Sequence, residues 1–180
     1  DNISVRREQK NLSGSYSIYV ERVGDNCSTG AICTCVTPDC HMLYCNYMRA
    51  ERSPLICGRC GKDIPLYRLP YPPGQDDHCL LCEWHQSYYQ VDKLYMECLA
   101  DRFSLRQMTD PDSELFLSGM EIRSGLEKVT GKPVYYFFYR YKSRLGNCPL
   151  CGGKWQPSPY PAMADYICKN CRLATDAMCP

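Results

Sequence analysis

A chain of 180 residues that is 44% hydrophobic has too much apolar side chain to remain disordered, and is long enough for one domain or two small ones. Its 21 Lys+Arg against 20 Asp+Glu leave a net charge of +1, which excludes a polycationic nucleic-acid coat. No apolar run approaches the ~18 residues of a membrane helix, so no membrane contact is expected.

Residues 11–24 alternate at Tyr16, Ile18 and Val20 and predict a strand. Residues 25–40 are rich in turn formers and cysteine, and 42–48 (MLYCNYM) predict a second strand. The four prolines of 64–73 (IPLYRLPYPP) predict an extended, ordered connector. Trp84, Tyr88, Val91, Leu94, Tyr95 and Cys98 recur at three- and four-residue spacing, which predicts an amphipathic helix over 80–99. Asp110 as N-cap, with Pro111 at the first helical position, predicts a further helix over 111–129, ended by Gly131 and Lys132-Pro133. Residues 134–141 (VYYFFYRY) predict a dense β segment. The expected fold is α+β in three segments: a β-rich lobe with a zinc knuckle (1–75), a helical segment (76–132), and a strand plus C-terminal zinc ribbon (133–180). No secretory leader is legible, and a chain that starts at Asp1 rather than Met is expected to be cut from a longer precursor.

Fifteen cysteines are near the share at which covalent or metal frameworks occur. Their odd number excludes a complete set of intramolecular disulfides. Eight of them fall in four C-x-x-C pairs, a spacing that lets a tight turn aim two thiolates at one tetrahedral ion. Zinc in a reducing cytoplasm is therefore expected over a secreted disulfide scaffold. The strongest set is Cys148, Cys151, Cys168 and Cys171, with sixteen residues between the two pairs, inside the zinc window. Gly152 and Gly153 let backbone amides turn toward the sulfurs, and four cysteines would close the coordination sphere. In so small a ribbon the metal would supply ~10–16 kcal/mol of apparent stability. A second ion is expected at Cys57 and Cys60. Their partners are either Cys79 and Cys82, eighteen residues downstream, or Cys33 and Cys35, twenty-one residues upstream. Cys79 and Cys82 lie at a helix entry, where cysteines also serve as small buried hydrophobes.

Charge is uneven along the chain. Residues 61–130 carry 7 Lys/Arg against 12 Asp/Glu, whereas residues 131–172 carry seven cations against Asp165 alone. The C-terminal cations interleave with aromatics, a pattern suited to single-stranded nucleic acid: cations follow phosphates and rings stack on bases. Arg140, Lys142, Arg144, Lys154, Lys169 and Arg172 are the expected phosphate contacts. Catalytic constellations are weak. His41, His78 and His85 lack a metalloprotease-like pattern and are expected to be surface or satisfied histidines. Acidic residues at 110–114 are accounted for by a helix start.

Three stretches together resemble a family of uncharacterised bacterial proteins described as zinc-ribbon-containing and nucleic-acid-binding. They are SPLICGRCGKDIPLYRLP (53–70); WHQSYYQVD (84–92) with LYMEC (94–98) and RQMTD (106–110); and PVYYFFYRY (133–141) leading into CPLCGGKW (148–155) and CKNCRL (168–173). The resemblance spans about residues 30–175. It implies a C-x-C upstream of the first knuckle, matched by Cys33 and Cys35, and no cysteine at the positions of Cys79 and Cys82, so the upstream pair is preferred. His85 and Val91 depart from the pattern, which has Gln and Cys there.

These readings converge on a non-catalytic cytoplasmic protein holding two zinc ions and contacting nucleic acid through the basic ribbon. A protein–protein module is the alternative, such as an immunity protein that neutralises a toxin through the acidic central segment.

Overall fold

The computed structural model describes residues 3–8, 17–22, 32–72, 77–141 and 145–177. The chain divides into two compact units, residues 1–32 and 33–180. In the first, β1 (Ile3–Glu8) and β2 (Ser17–Arg22) pair antiparallel, with Ile3 opposite Arg22 and Glu8 opposite Ser17.

The second unit is a mixed sheet covered by helices. Its strands are β3 (His41–Leu43), β4 (Leu55–Cys57), β5 (Val134–Phe137), β6 (Gln156–Pro157), β7 (Tyr166–Cys168) and β8 (Leu173–Thr175), in the order β4-β3-β5-β8-β7-β6. β5 lies parallel to both β3 and β8, with Met42 beside Tyr135 and Tyr136 beside Leu173; the outer pairs are antiparallel. A parallel β3–β5 pair demands a long crossover. It is supplied by α1 (Cys79–Met96), α2 (Asp101–Thr109) and α3 (Glu114–Thr130). Strands from 33–72 and from 133–177 thus share one layer.

β5 is the centre of that layer and is buried on both faces, which explains a run of aromatics with no polar alternation. Val134, Tyr136 and Phe138 pack on the helical side with Trp84, Phe116 and Leu173. Tyr135 and Phe137 face the other side, with Met42, Ile56, Ile167 and the turn residues Met163 and Ala164. α3 packs tightly at Gly119, where an added Cβ would stand 2.4 Å from Tyr136 Cε2 and 2.6 Å from Trp84 Nε1. Among the described residues no helix is long and apolar enough to cross a membrane.

Several boundaries differ from the sequence reading. The strand expected over 42–48 ends at Leu43, because Asn46 Oδ1 accepts the Met48 amide at 3.1 Å and caps a 3-10 turn over Tyr47–Arg49. The last helix starts at Glu114, not at Pro111. Asp110 closes a local turn by accepting the Asp112 amide, and the N-cap is Ser113, whose Oγ accepts from Phe116 N at 3.2 Å and donates to Gln107 O at 2.8 Å. Gly131, at φ 64°, ends it as expected. α2 fills 101–109, inside the segment expected to be helical but between the two helices whose bounds the sequence reading assigned. The proline-rich connector, described through residue 72, holds a 3-10 turn at Leu66–Arg68 flanked by extended Pro65 and Leu69. His41 and His85 are buried and His78 half-buried, and among the described residues each has a buried ring nitrogen without a partner.

Candidate metal centres

Two groups of four cysteines converge, Cys33 with Cys35, Cys57 and Cys60, and Cys148 with Cys151, Cys168 and Cys171. Within each group all four Sγ atoms lie within 4.8 Å of one another. Four sulfurs at the corners of a tetrahedron ~2.3 Å from a central ion stand ~3.8 Å apart. Cys151 and Cys168 Sγ are 3.7 Å apart, far beyond an S–S bond, and the described cysteines are free thiols.

The C-x-x-C-G sequence builds both sites by one device. Cys57 ends β4, and its amide donates to Lys62 O at 2.9 Å while Gly61 N returns to Cys57 O at 2.8 Å. Cys148 N donates to Gly153 O at 2.8 Å, and Gly152 N to Cys148 O at 2.9 Å. Each loop needs a left-handed residue after its second cysteine, found in Gly61 at φ 67° and Gly152 at φ 68°. In the third loop, CKNCR, Arg172 takes that conformation at φ 56°. Its guanidinium reaches Glu127 Oε1 at 3.2 Å and lies 5.7 Å from the Tyr135 ring centre.

The upstream C-x-C is held by side chains the sequence reading left unassigned. Arg68 donates to the carbonyls of Cys33 and Cys35, at 2.5 and 2.6 Å. Cys33 N donates to Asp63 O at 2.7 Å, and the buried Asp63 carboxylate is gripped by Arg49 and by Arg52, the latter at 2.8 Å. The signal for Arg68 was its place in the PLYRLP stretch: a cation in a proline-rich connector can anchor carbonyls that no regular element satisfies.

In each group one thiol is primed to ionise. The Gly153 amide, followed by Cys171, Cys168 and Cys148, brings the Cys151 thiol down to about 7. Burial pushes Cys60 up, but the Lys62 amide and the other three cysteines outweigh it and leave it below the ordinary thiol value. Burial raises Cys33, Cys35, Cys57, Cys168 and Cys171. A metal binding four thiols must displace their protons, and a thiol whose pKa is lowered gives its proton up most easily. With sulfur alone in the shell, soft and borderline ions fit and hard cations do not.

Cys79 and Cys82 are exposed at the start of α1 and join neither group. Cys40 and Cys45 are buried, and burial pushes both thiols up to about 12, so they serve as small core residues.

The expected basic face is not assembled by the described residues. Arg140 is buried; it donates to Thr175 Oγ1 at 3.0 Å and to the carbonyls of Asp176 and Ala177, tying down the end of β8. Arg172 is committed to Glu127 and Tyr135. Lys154 and Lys169 are exposed, while Lys142 and Arg144 lie outside the described residues. Of the expected stacking rings, Tyr135, Tyr136, Phe137, Phe138 and Trp155 are core. The cause is β5, whose burial on both faces leaves its aromatics no outer side.

The family described as "Domain of unknown function (DUF2310)" matches residues 35–139. The chain belongs to this family. The DUF2310 match takes in Cys35, Cys57, Cys60, the three helices and β5, and ends before the second cysteine group. A protein of Haemophilus influenzae described as an uncharacterized protein is 30% identical over 173 residues, covering 86% of this chain and 79% of its own length. A second from the same organism, described in the same words, is 29% identical over 171 residues; the chain covers 61% of that relative's length. No solved structure matches significantly.

Proposed function

We propose that the chain is a non-catalytic binding protein whose shape is held by two structural zinc ions, one in each cysteine group. The observation that carries this reading is the all-sulfur shell. Four converging thiols per site leave no position for a water or substrate, which is the mark of a structural rather than a catalytic ion. Zinc is the ion of choice because it is tetrahedral with four thiolates and has no redox chemistry to damage them. Free thiols on this scale suit a reducing compartment, the cytoplasm. Metal analysis of the reduced protein, joined to X-ray absorption at the zinc edge, is expected to give two ions per chain in sulfur-only shells. Nitrogen or oxygen in the shell, or cysteines bonded in pairs, would refute the reading.

Exposed carboxylates on the helices, among them Glu83, Asp101, Glu114 and Glu121, favour a basic protein partner, as an immunity protein facing a toxin would have. Nucleic acid is the second reading, supported by the exposed Lys154 and Lys169 beside the second centre. Binding to single-stranded DNA or RNA would weaken steeply with salt. Absence of binding at low salt removes that reading and leaves the protein partner.

A further inference from the structure

A third group of side chains takes no part in either cysteine centre. A cavity of about 480 Å³ is lined by Tyr44, Tyr88, Tyr95 and Tyr139 together with Asp92 and Asp176. The rings are fixed by their neighbours. Tyr44 stands edge-on to Phe137 with centres 4.8 Å apart, Tyr95 edge-on to Tyr141 at 5.8 Å, and Tyr88 tilts against Trp84 at 5.5 Å. The carboxylates are fixed by backbone amides: Asp92 Oδ2 accepts from Tyr47 N at 2.7 Å, and Asp176 Oδ1 from Asp165 N at 3.3 Å. Among the described residues neither carboxylate has an ion-pair partner.

Asp92 and Asp176 are the charged groups of the lining; the rest, among them Asn46, Met96 and Met108, is neutral. Burial raises the pKa of both Asp92 and Asp176, as expected of carboxylates drawn out of water without a full counter-charge. The field of both reaches Tyr44, whose hydroxyl is pushed up mainly by burial, against the pull of Arg49 and Asn46. Asp92 likewise adds to the burial that pushes up Cys45. Arg140 is the cation that acts on Asp176, and it is already spent on the carbonyls at the end of β8. Aromatic faces carry the same sign as the carboxylates. Tyr44 already shows the affinity, with Arg49 lying 5.2 Å from its ring centre.

An anion would be repelled from this cavity, and a neutral apolar guest would strip water from two carboxylates without replacing it. We propose that it binds a small alkylammonium ion, with Asp92 and Asp176 opposing the charge and the tyrosine rings covering the alkyl groups. The volume is that of a small-molecule site. This site is separate from the metal reading and does not depend on which ion the cysteines hold.

Calorimetric titration of the full metal-loaded chain with choline, and with its neutral isostere 3,3-dimethyl-1-butanol, tests it. Choline is expected to bind and the isostere to bind at least about tenfold more weakly. Asp92→Asn keeps an acceptor for the Tyr47 amide and is expected to weaken choline about tenfold, with zinc content and unfolding midpoint unchanged. Asp176→Asn gives the same reading should Asp92→Asn disturb the fold. Equal binding of choline and its isostere, no binding of choline up to ~10 mM, or unchanged affinity in the folded Asn variants would overturn it.

Discussion

Gly61 and Gly152 occupy one backbone position in two separate loops. Each follows the second cysteine of a C-x-x-C pair, each is left-handed, at φ 67° and 68°, and each donates its amide to the carbonyl of the first cysteine. Their surroundings differ. A Cβ on Gly152 meets open space, whereas one on Gly61 would stand 2.3 Å from the carbonyl oxygen of Ala162. Gly152→Ala therefore costs only left-handed strain, about 1 kcal/mol. Gly61→Ala adds a backbone overlap that must be relieved by moving the 160–164 turn, for a total of about 3 kcal/mol or more. Chemical denaturation of the metal-loaded variants checks the order; equal losses would show that the Gly61 contact is absent in solution.

The first cysteine group depends on a residue that never touches the sulfurs. Arg68 holds the carbonyls of Cys33 and Cys35, and thereby sets the direction of both side chains. Arg68→Ala frees that segment while leaving every thiol in place. Metal release from the first centre to a coloured chelator should accelerate about 10–100-fold, with the second centre unchanged. Equal acceleration at both centres would point to general unfolding instead.

Much of this was legible before the fold was known, because thiol spacing is a local code. C-x-x-C-G specifies its own turn, so Cys57, Cys60, Cys148 and Cys151 could be picked out from the chain alone. The choice of Cys33 and Cys35 over Cys79 and Cys82 could not be made on spacing. It depends on Asp63 and Arg68 drawing residues 33–35 against the knuckle, a tertiary relation. Arg140 and most of the expected rings were misplaced for a similar reason. Seven cations and nine rings in one stretch give composition but not direction, and β5 turned out to have two buried faces. Helix boundaries slipped where Ser113 outcompeted Asp110, since both are good caps and only the contact with Gln107 decides between them.

Gly119 is a helical glycine that a stability designer would replace. Alanine is the better helix former by about 1 kcal/mol, yet its methyl would press on Tyr136 and Trp84 within van der Waals contact. Neither can yield easily: Tyr136 is 1% exposed, and Trp84 Nε1 is tied to Leu115 O at 3.2 Å. Gly119→Ala is expected to destabilise by about 1–3 kcal/mol in spite of its propensity. Denaturant titration decides the sign, and a more stable variant would mean that α3 can slide away from β5 at little cost.

His41 gives the fold a defined acid limit. It lies in β3 at 4% exposure with Nδ1 unpartnered, and burial, reinforced by the nearby charge of Lys132, lowers its pKa to about 4 from an ordinary 6.5. The folded chain keeps the ring neutral while the unfolded chain protonates it below pH 6.5. Stability from this residue is thus complete above pH 6.5, falls as pH drops, and stops falling near pH 4. By pH 5 the loss is about 2 kcal/mol. His41→Leu removes the titration. Thiolate protonation also weakens the protein in acid, but it acts on both chains and cancels in their difference. The gap in unfolding free energy between His41→Leu and the parent should shift by about 2 kcal/mol in favour of the variant between pH 7.5 and pH 5. A gap that stays constant over that range would show that the imidazole is reached by water, and that its proton comes and goes without unfolding.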